Sequence, residues 1–207
     1  MKIYITGIAK SGTTLLARLF YTFGLPIHVE EIRLIDLCKS EETTLVGKRT
    51  EYTLFSNILN RADLSKQIDC IKYYDIKIIN IYRNGVDVLE SFERDWGYWN
   101  PLIWCEGIRQ MLVYPELLTC NIQYERLIEE PDVIQKEIAD KLGLNILCKF
   151  SDYPDYLPEG IFPTEVERYK PRSISNASIG KKFNINKPGI DIDYFNEQMK
   201  FLGYDTV

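Results

Sequence analysis

The sequence has little histidine and no closely paired cysteines. Its 207 residues include a single histidine, His28, so a histidine-rich metal site is excluded and a Ser-His-Asp triad would depend on that residue alone. Its neighbours Leu25 to Val29 are mostly apolar, which favours a structural role for the imidazole. The five cysteines are widely spaced and include no CxxC pair. This pattern is typical of thiols in a reducing compartment rather than of a disulfide or zinc framework.

Positive charge and long apolar runs are also scarce. Lysine and arginine number 25 against 30 aspartates and glutamates, giving a net charge of −5, which argues against a general nucleic-acid binder. A local basic pocket for one small anion stays possible. The apolar run at the N-terminus is too short for a signal peptide, and no stretch reaches the roughly 18 apolar residues of a membrane span. We expect a soluble, cytoplasmic protein with no nucleic-acid or membrane partner; the oligomeric state stays open.

The remaining composition, 45% hydrophobic and 27% charged, is that of a globular domain, and we expect residues 1–207 to form a single one. Apolar runs typical of buried strands are each followed by a stretch with helical spacing; the strands are at 2–8, 77–82 and 117–124. Pro131 begins another helix and Asp191 caps the last one. The alternation predicts an α/β, three-layer αβα P-loop fold with a central, mainly parallel sheet of about five strands. Residues 150–190 fit neither period and predict a long loop covering cofactor and acceptor.

A glycine-containing loop, Gly7 to Thr14, lies between the first strand and its helix. Backbone N–H groups of such a loop can bind a phosphate, and the start of the helix adds partial positive charge. The loop nearly matches the nucleotide-triphosphate pattern GxxxxGK[ST], but Thr13 replaces the lysine and the cation is Lys10 instead. A P-loop kinase needs that lysine and is therefore disfavoured. The alternative without a function is a tight turn that happens to contain Ser, Gly and Thr.

The segment Ala9-Lys10-Ser11-Gly12-Thr13-Thr14 resembles the 5′-phosphosulfate loop of the PAPS-dependent sulfotransferases, [PR]-[KR]-S-G-T-[TS]. PAPS is 3′-phosphoadenosine 5′-phosphosulfate, the donor of the sulfuryl group in that family. The resemblance implies that the loop binds this donor through Lys10, Ser11, Gly12, Thr13 and Thr14.

A second segment resembles the family's 3′-phosphate-binding stretch, in which an arginine follows a strand and a serine comes eight residues later. Here these residues are Arg83 and Ser91. Arg83 follows the carboxyl end of a strand, where doubly wound sheets bind ligands, and a guanidinium can form paired hydrogen bonds with phosphate. The alternative is an Arg–Asp pair at the surface with a solvent-facing serine.

Two further segments are similar to family motifs. Tyr124, in Gln123-Tyr124-Glu125-Arg126-Leu127, matches a tyrosine that lies near the adenine in the family, which makes it a candidate stacking or hydrogen-bonding residue. Otherwise it is a half-buried strand tyrosine. Residues 178–183 resemble the late S-x-G-[RK]-W segment that closes over the cofactor, which assigns Lys181 to cofactor binding. Phe183 stands two positions after Lys181, so the register of this segment stays open.

The catalytic base is a histidine in cytosolic family members, but His28 lies too early in the chain for that position. Tyrosylprotein sulfotransferases carry an E-E-x-R segment instead, and in base position this chain is closest to these and to bacterial-type sulfotransferases. Glu31 lies seventeen residues after Thr14, as in those enzymes. The resemblance implies that Glu31 is the general base and Arg33 a substrate or sulfuryl contact. The alternative is an acidic first helical turn, with Glu30 as its other member.

A further cation comes from Gly47-Lys48-Arg49-Thr50-Glu51-Tyr52, which resembles the family's K-[TD]-P-x-Y segment with Thr50 in place of Pro. The resemblance assigns Lys48 to the bridging oxygen beside Lys10. A solvated basic turn is the alternative. The aromatic stretch Trp96 to Trp104 either lines a cleft for the acceptor or belongs to the core.

These matches predict an enzyme that moves a sulfuryl group from PAPS to a hydroxyl of an acceptor and needs no metal. The acceptor is a small molecule or glycan, whether carbohydrate, phenol, tyrosine or small metabolite. Two other functions stay open: a P-loop small-molecule kinase that uses a nucleoside triphosphate with magnesium, and a non-catalytic protein that only binds adenosine bisphosphate.

Overall fold

Four parallel strands form the centre of the molecule. The computed structural model describes residues 1–28, 32–41, 44–49, 68–97, 101–153, 155, 174–177, 179–181 and 191–207. The strands are β1 (Lys2–Thr6), β2 (Leu45–Arg49), β3 (Lys77–Tyr82) and β4 (Leu118–Gln123), in the order β2-β1-β3-β4. This confirms the predicted α/β class with a parallel sheet. The described residues contain four strands, where about five were expected.

Helices cover both faces of the sheet. They are α1 (Thr13–Leu19), α2 (Leu34–Lys39), α3 (residues 68–73), α4 (Gly85–Trp96), α5 (Pro101–Val113), α6 (Tyr124–Glu129), α7 (Pro131–Leu142) and α8 (Ile192–Phe201). Short 3₁₀ turns occupy Phe20–Phe23, Pro115–Leu117 and Phe150–Asp152. None of the helices in the described part of the chain has the length and apolar character that crossing a membrane requires.

The alternation of side chains along each strand builds two apolar layers. Ile3, Ile5, Ile79 and Ile81 pack in one cluster with residues of α1 and α7. Their neighbours Tyr4 and Ile78 point to the opposite face and pack with residues of α2 and α3. A third cluster joins α4, α5 and α8 around the buried Trp104 and Phe195, and meets the sheet at Tyr82 and Leu118. Because both faces are covered, β1 and β3 carry apolar side chains toward both layers at their centres.

The register brings four chain segments to one edge of the sheet. Thr6 of β1 pairs with Arg49 of β2 and with Asn80 of β3, and Tyr82 pairs with Gln123 of β4. The residues that follow these strands therefore lie together at the carboxyl edge, where parallel α/β sheets bind ligands. Arg83 and Tyr124 are among them, as is the loop from Gly7 to Thr14, which is called the phosphate loop below.

The boundaries of β3 agree with the prediction, as do the start of α7 at Pro131 and the cap of α8, where Asp191 accepts a hydrogen bond of 3.0 Å from the amide of Tyr194. Strand β2 was not predicted, nor was α6, which begins directly after β4. Most of the predicted loop at 150–190 lies outside the described residues.

A further segment runs along the outer edge of β2. The amide of Val46 donates to Pro26 O (2.9 Å), the amide of His28 to Val46 O (2.8 Å) and the amide of Ile32 to Lys48 O (3.1 Å). The single bridge between Ile27 and Val46 is parallel. The residues on either side of 29–31 are thus attached to the strand that carries Lys48.

Candidate functional site

The phosphate loop is packed too closely for larger residues at two of its glycines. A Cβ at Gly7 would lie 2.3 Å from the backbone oxygen of Ile81, so the loop needs glycine where it approaches β3. Gly12 caps α1 with a φ of +96°, and a Cβ there would lie 2.4 Å from Cδ2 of Tyr124. Lys10 also has a left-handed backbone, with a φ of +70°. The loop is therefore a specific, strained turn held between β3 and Tyr124.

The hydroxyl-bearing residues of the loop differ in exposure. Ser11 is completely buried, and its Oγ forms no hydrogen bond with the described residues. Thr13 is buried as well, whereas Thr14 is half-buried. Buried hydroxyls are usually hydrogen-bonded, and a ligand or a water can supply such a partner. Ser11 thus supplies a polar group suited to an anion in the loop.

The Lys10 ammonium contacts an aspartate of α4. Its Nζ lies 2.6 Å from Oδ2 of Asp95, and the other carboxylate oxygen of Asp95 accepts a hydrogen bond of 2.8 Å from Arg94. The hydrogen bonds from Arg94 and Lys10 lower the pKa of the Asp95 carboxyl. Asp95 is therefore negatively charged at neutral pH and forms an ion pair with Lys10, the predicted catalytic cation.

Arg83 joins the two predicted phosphate-binding segments. Its side chain is only 4% exposed, and its Nη1 donates a hydrogen bond of 3.0 Å to the backbone oxygen of Lys10. The guanidinium lies 4.8 Å from the centre of the Tyr124 ring, at a distance typical of a cation–π contact. Its Nη2 lies 3.7 Å from Oδ2 of Asp87. The Arg–Asp pair is thus buried, and the alternative of a surface pair is wrong.

Ser91 lies inside the molecule and not at its surface. It is 2% exposed, and its Oγ donates a hydrogen bond of 2.8 Å to the backbone oxygen of Asp87, one helical turn earlier. The alternative of a solvent-facing serine is therefore wrong. To donate to a phosphate oxygen, the hydroxyl would have to give up the Asp87 carbonyl, so its assignment to the 3′-phosphate stays a prediction.

Tyr124 begins α6 and lies between the phosphate loop, at Gly12, and the segment that carries Arg83. Its ring fills the space beside Gly12 and contacts Arg83. It is 8% exposed and starts a helix, so the alternative of a half-buried strand tyrosine is wrong. Because the ring contacts the guanidinium, Tyr124 helps to orient Arg83. The predicted contact between Tyr124 and an adenine would be a second role.

Glu125, which the sequence analysis did not select, connects the ends of β3 and β4. Its carboxylate accepts hydrogen bonds from the amide of Asn84 (2.9 Å) and from the hydroxyl of Tyr204 (2.7 Å). Burial and the nearby charge of Glu125 raise the pKa of the Tyr204 hydroxyl well above its usual range. Trp104 supports the same strand end, since its Nε1 donates to the backbone oxygen of Arg83 at 3.2 Å. Trp104 ends the aromatic stretch that begins at Trp96, and it belongs to the core. Residues 98–100 of that stretch lie outside the described residues.

Gly180 and Lys181, the described part of the late motif together with Ile179, are attached to α4 through Asp87. The amide of Gly180 donates to Oδ2 of Asp87 (3.1 Å), and the amide of Lys181 donates to Oδ1 (2.7 Å). This contact brings Lys181 to the site, with its side chain half-buried. Asp87 was also missed as a site residue, since an Arg–Asp pair was considered only as a surface alternative. It lies in the first turn of α4, whereas Arg83 precedes the cap of that helix.

The remaining predicted residues are on the β2 side. Lys48 lies in β2 and is 4% exposed, so the alternative of a solvated turn is wrong. Arg33 precedes α2 at the surface, where its Nε and Nη2 donate to the carboxylate of Asp36 at 2.6 and 3.1 Å. Glu30 and Glu31 lie outside the described residues. The described side chains contain no group of three or more His, Cys, Asp or Glu residues placed to hold a metal ion.

Two solved structures with a similar fold are sulfotransferase domains. The sulfotransferase domain of the olefin synthase of Synechococcus PCC 7002 aligns with a TM-score of 0.66 and 16% identity, covering 100% of this chain and 95% of that one. The sulfotransferase domain from the curacin biosynthetic pathway aligns with a TM-score of 0.73 and 15% identity, covering 100% and 98%. The sequence itself matches no family model and no curated protein. The chain therefore has the α/β fold of sulfotransferase domains, as its loop motifs predicted.

Proposed function

We propose that this protein is a PAPS-dependent sulfotransferase, which moves a sulfuryl group to a hydroxyl of a small-molecule or glycan acceptor and releases adenosine 3′,5′-bisphosphate. The observation that carries the proposal is the contact between the two predicted phosphate segments. Arg83 donates a hydrogen bond to the backbone oxygen of Lys10 and contacts the Tyr124 ring. These contacts lie in a sulfotransferase fold, at the edge of the sheet where ligands bind.

The described residues fit the two anionic ends of PAPS. The buried Oγ of Ser11 and the start of α1 offer donors to a phosphosulfate in the loop. The guanidinium of Arg83 is suited to the 3′-phosphate, since its planar fork matches phosphate oxygens. Tyr124 lies between the two positions, where an aromatic ring can contact the adenosine.

In this proposal, catalysis rests on positioning and charge. The acceptor oxygen forms a bond to sulfur as the bond between sulfur and the 5′-phosphate oxygen breaks, and that oxygen keeps the electron pair. Glu31 takes the proton of the acceptor hydroxyl. Lys10 and Lys48 neutralise the charge that develops on the leaving oxygen, and Arg33 contacts the substrate or the sulfuryl group.

Two described features of the β2 side support these roles. Lys48 is a buried cation on the strand next to β1, the strand that leads into the phosphate loop. The chain on both sides of Glu31 is attached to β2, through the amides of His28 and Ile32.

A transfer assay tests this proposal. The protein is incubated with PAPS carrying radiosulfur in its sulfuryl group and with phenols, sugars and small alcohols in turn. We expect label to move to at least one class of acceptor in the absence of magnesium. Phosphoryl transfer from ATP with magnesium would instead support the kinase. Binding of adenosine 3′,5′-bisphosphate without transfer to any acceptor would support the non-catalytic binding protein.

A further inference from the structure

We infer that Asp87 is a positioning residue that joins Arg83 and Lys181 into one unit for binding the 3′-phosphate. The inference rests on the proposed function, which assigns the 3′-phosphate to this end of the site. Asp87 itself does not contact the donor in this account. It acts through the cations on either side of it.

Two backbone amides and one guanidinium meet at the Asp87 carboxylate. The amides of Gly180 and Lys181 donate to its two oxygens, and Nη2 of Arg83 lies 3.7 Å from Oδ2. The amide of Lys181 is 94 residues away in sequence, so this carboxylate is what fixes the late segment beside the start of α4. Gly180 has a left-handed backbone with a φ of +70°, and its own amide and the next one both point toward the Asp87 carboxylate.

Burial makes this arrangement specific. Asp87 is 2% exposed and Arg83 is 4% exposed, so neither charge is compensated by bulk water. A buried carboxylate is stable only where hydrogen bonds and an opposite charge surround it, which the two amides and Arg83 supply. Loss of the charge would release the late segment and would also free the guanidinium to change its orientation.

Simple electrostatics predicts the opposite effect on ligand binding. A negative charge close to Arg83 weakens the attraction between this site and a phosphate, so its removal alone should strengthen anion binding. If Asp87 positions Arg83 and Lys181, its removal should weaken binding instead, because the two cations no longer hold one geometry. The sign of the change therefore distinguishes the two roles.

Calorimetric titration of the whole chain measures this sign. Wild type and Asp87→Asn are titrated with adenosine 3′,5′-bisphosphate and with adenosine 5′-phosphate, which lacks the 3′ group. We expect the variant to bind the bisphosphate about 10- to 100-fold more weakly, the range for a lost charged hydrogen bond, with little change for the monophosphate. Asp132→Asn is the matched control, because Asp132 accepts an amide hydrogen bond of 2.9 Å from Ser151 elsewhere on the surface, and it should change neither affinity.

A second variant keeps the inference testable if Asp87→Asn does not fold. Gly180→Ala leaves α4 intact and strains the backbone at residue 180, since a Cβ at this glycine meets no atom of the described residues within 4 Å. It should weaken the bisphosphate in the same direction. In the protein without ligand, hydrogen exchange at the amides of 180 and 181 should accelerate at least about tenfold in both variants, as their shared hydrogen bonds open more often.

Tighter or unchanged binding of the bisphosphate by Asp87→Asn, or equal losses for both nucleotides, would overturn the positioning role while leaving the proposed function intact. A wild-type protein that does not prefer the bisphosphate over the monophosphate would instead overturn the proposed function, and the inference with it.

Discussion

At the scale of single residues, the candidate site depends on two glycines that allow close packing of the backbone. Gly7 and Gly12 let the loop approach the backbone of Ile81 and the ring of Tyr124, and no other residue leaves that space. Their sequence pattern predicted a phosphate loop. The particular neighbours that make these glycines necessary come from β3 and α6, far along the chain, and could not be predicted from the loop itself.

Replacement of Gly12 by alanine should cost more stability than replacement of a glycine with similar backbone geometry. Gly12 has a φ of +96° and Gly97 a φ of +70°, but among the described residues only the first has a neighbour that a Cβ would meet. We expect Gly97→Ala to lower the free energy of unfolding by about 1 kcal/mol and Gly12→Ala by about 3 kcal/mol, since strain and overpacking add. Urea unfolding measures both. Equal losses would show that Tyr124 does not pack against the loop as described.

The proposed base can be tested against its immediate neighbour. Glu31→Gln keeps the shape of the side chain but removes the proton acceptor, so kcat should fall by about 10²–10⁴ while affinity for adenosine 3′,5′-bisphosphate stays nearly constant. Glu30→Gln is the control and should change kcat little, because adjacent side chains point in different directions. A larger fall in Glu30→Gln than in Glu31→Gln would contradict the assignment.

At the scale of elements, the predictions succeeded where one signal dominated. The apolar run of β3, the proline that begins α7 and the aspartate that caps α8 each determine an element through local chemistry. Strand β2 was missed because Gly47, Lys48 and Arg49 interrupt its apolar pattern. Its place in the sheet is set by tertiary contacts instead, since β1 pairs with one edge and Pro26, His28 and Ile32 form backbone hydrogen bonds with the other. Helix α6 was missed because it follows β4 without an intervening turn.

The cap of α4 should affect both stability and ligand binding. Asn84 accepts a hydrogen bond of 2.9 Å from the amide of Val86, and it directly follows Arg83. Asn84→Ala should lower the free energy of unfolding by about 1 kcal/mol, the usual value of a cap. It should also weaken the bisphosphate several-fold, because the start of the helix positions Arg83.

Asp191→Ala is the matched control for this prediction, since Asp191 caps α8 through the amide of Tyr194. It should lose a similar amount of stability in chemical unfolding and leave the affinity for the bisphosphate unchanged in calorimetry. An equal loss of affinity in the two variants would mean that the effect of Asn84 is one of general stability.

At the scale of the whole molecule, the site is assembled from segments that are distant in sequence. The phosphate loop, the start of α4, the start of α6 and residues 179–181 meet through Arg83 and Asp87. The family motifs had been assigned to these same segments from the sequence, and their role in a binding site stays a prediction. The buried carboxylates that join them, Asp87 and Glu125, were not predicted, because nothing in a local pattern distinguishes a joining aspartate or glutamate from a solvated one. That residues 1–207 form one domain stays a prediction.

The central claim, that the site binds a 3′-phosphoadenosine nucleotide rather than a nucleoside triphosphate, is tested most directly by thermal unfolding with different ligands. The protein is heated alone, with adenosine 3′,5′-bisphosphate, and with ATP and magnesium, at equal ligand concentrations. Because a ligand that binds only the folded state stabilises it by about 2.7 kcal/mol at 100 times its Kd, specific binding gives a clear rise in Tm. We expect the bisphosphate to raise Tm without magnesium and to do so more than ATP with magnesium. A larger rise with ATP and magnesium, and none with the bisphosphate, would contradict the account.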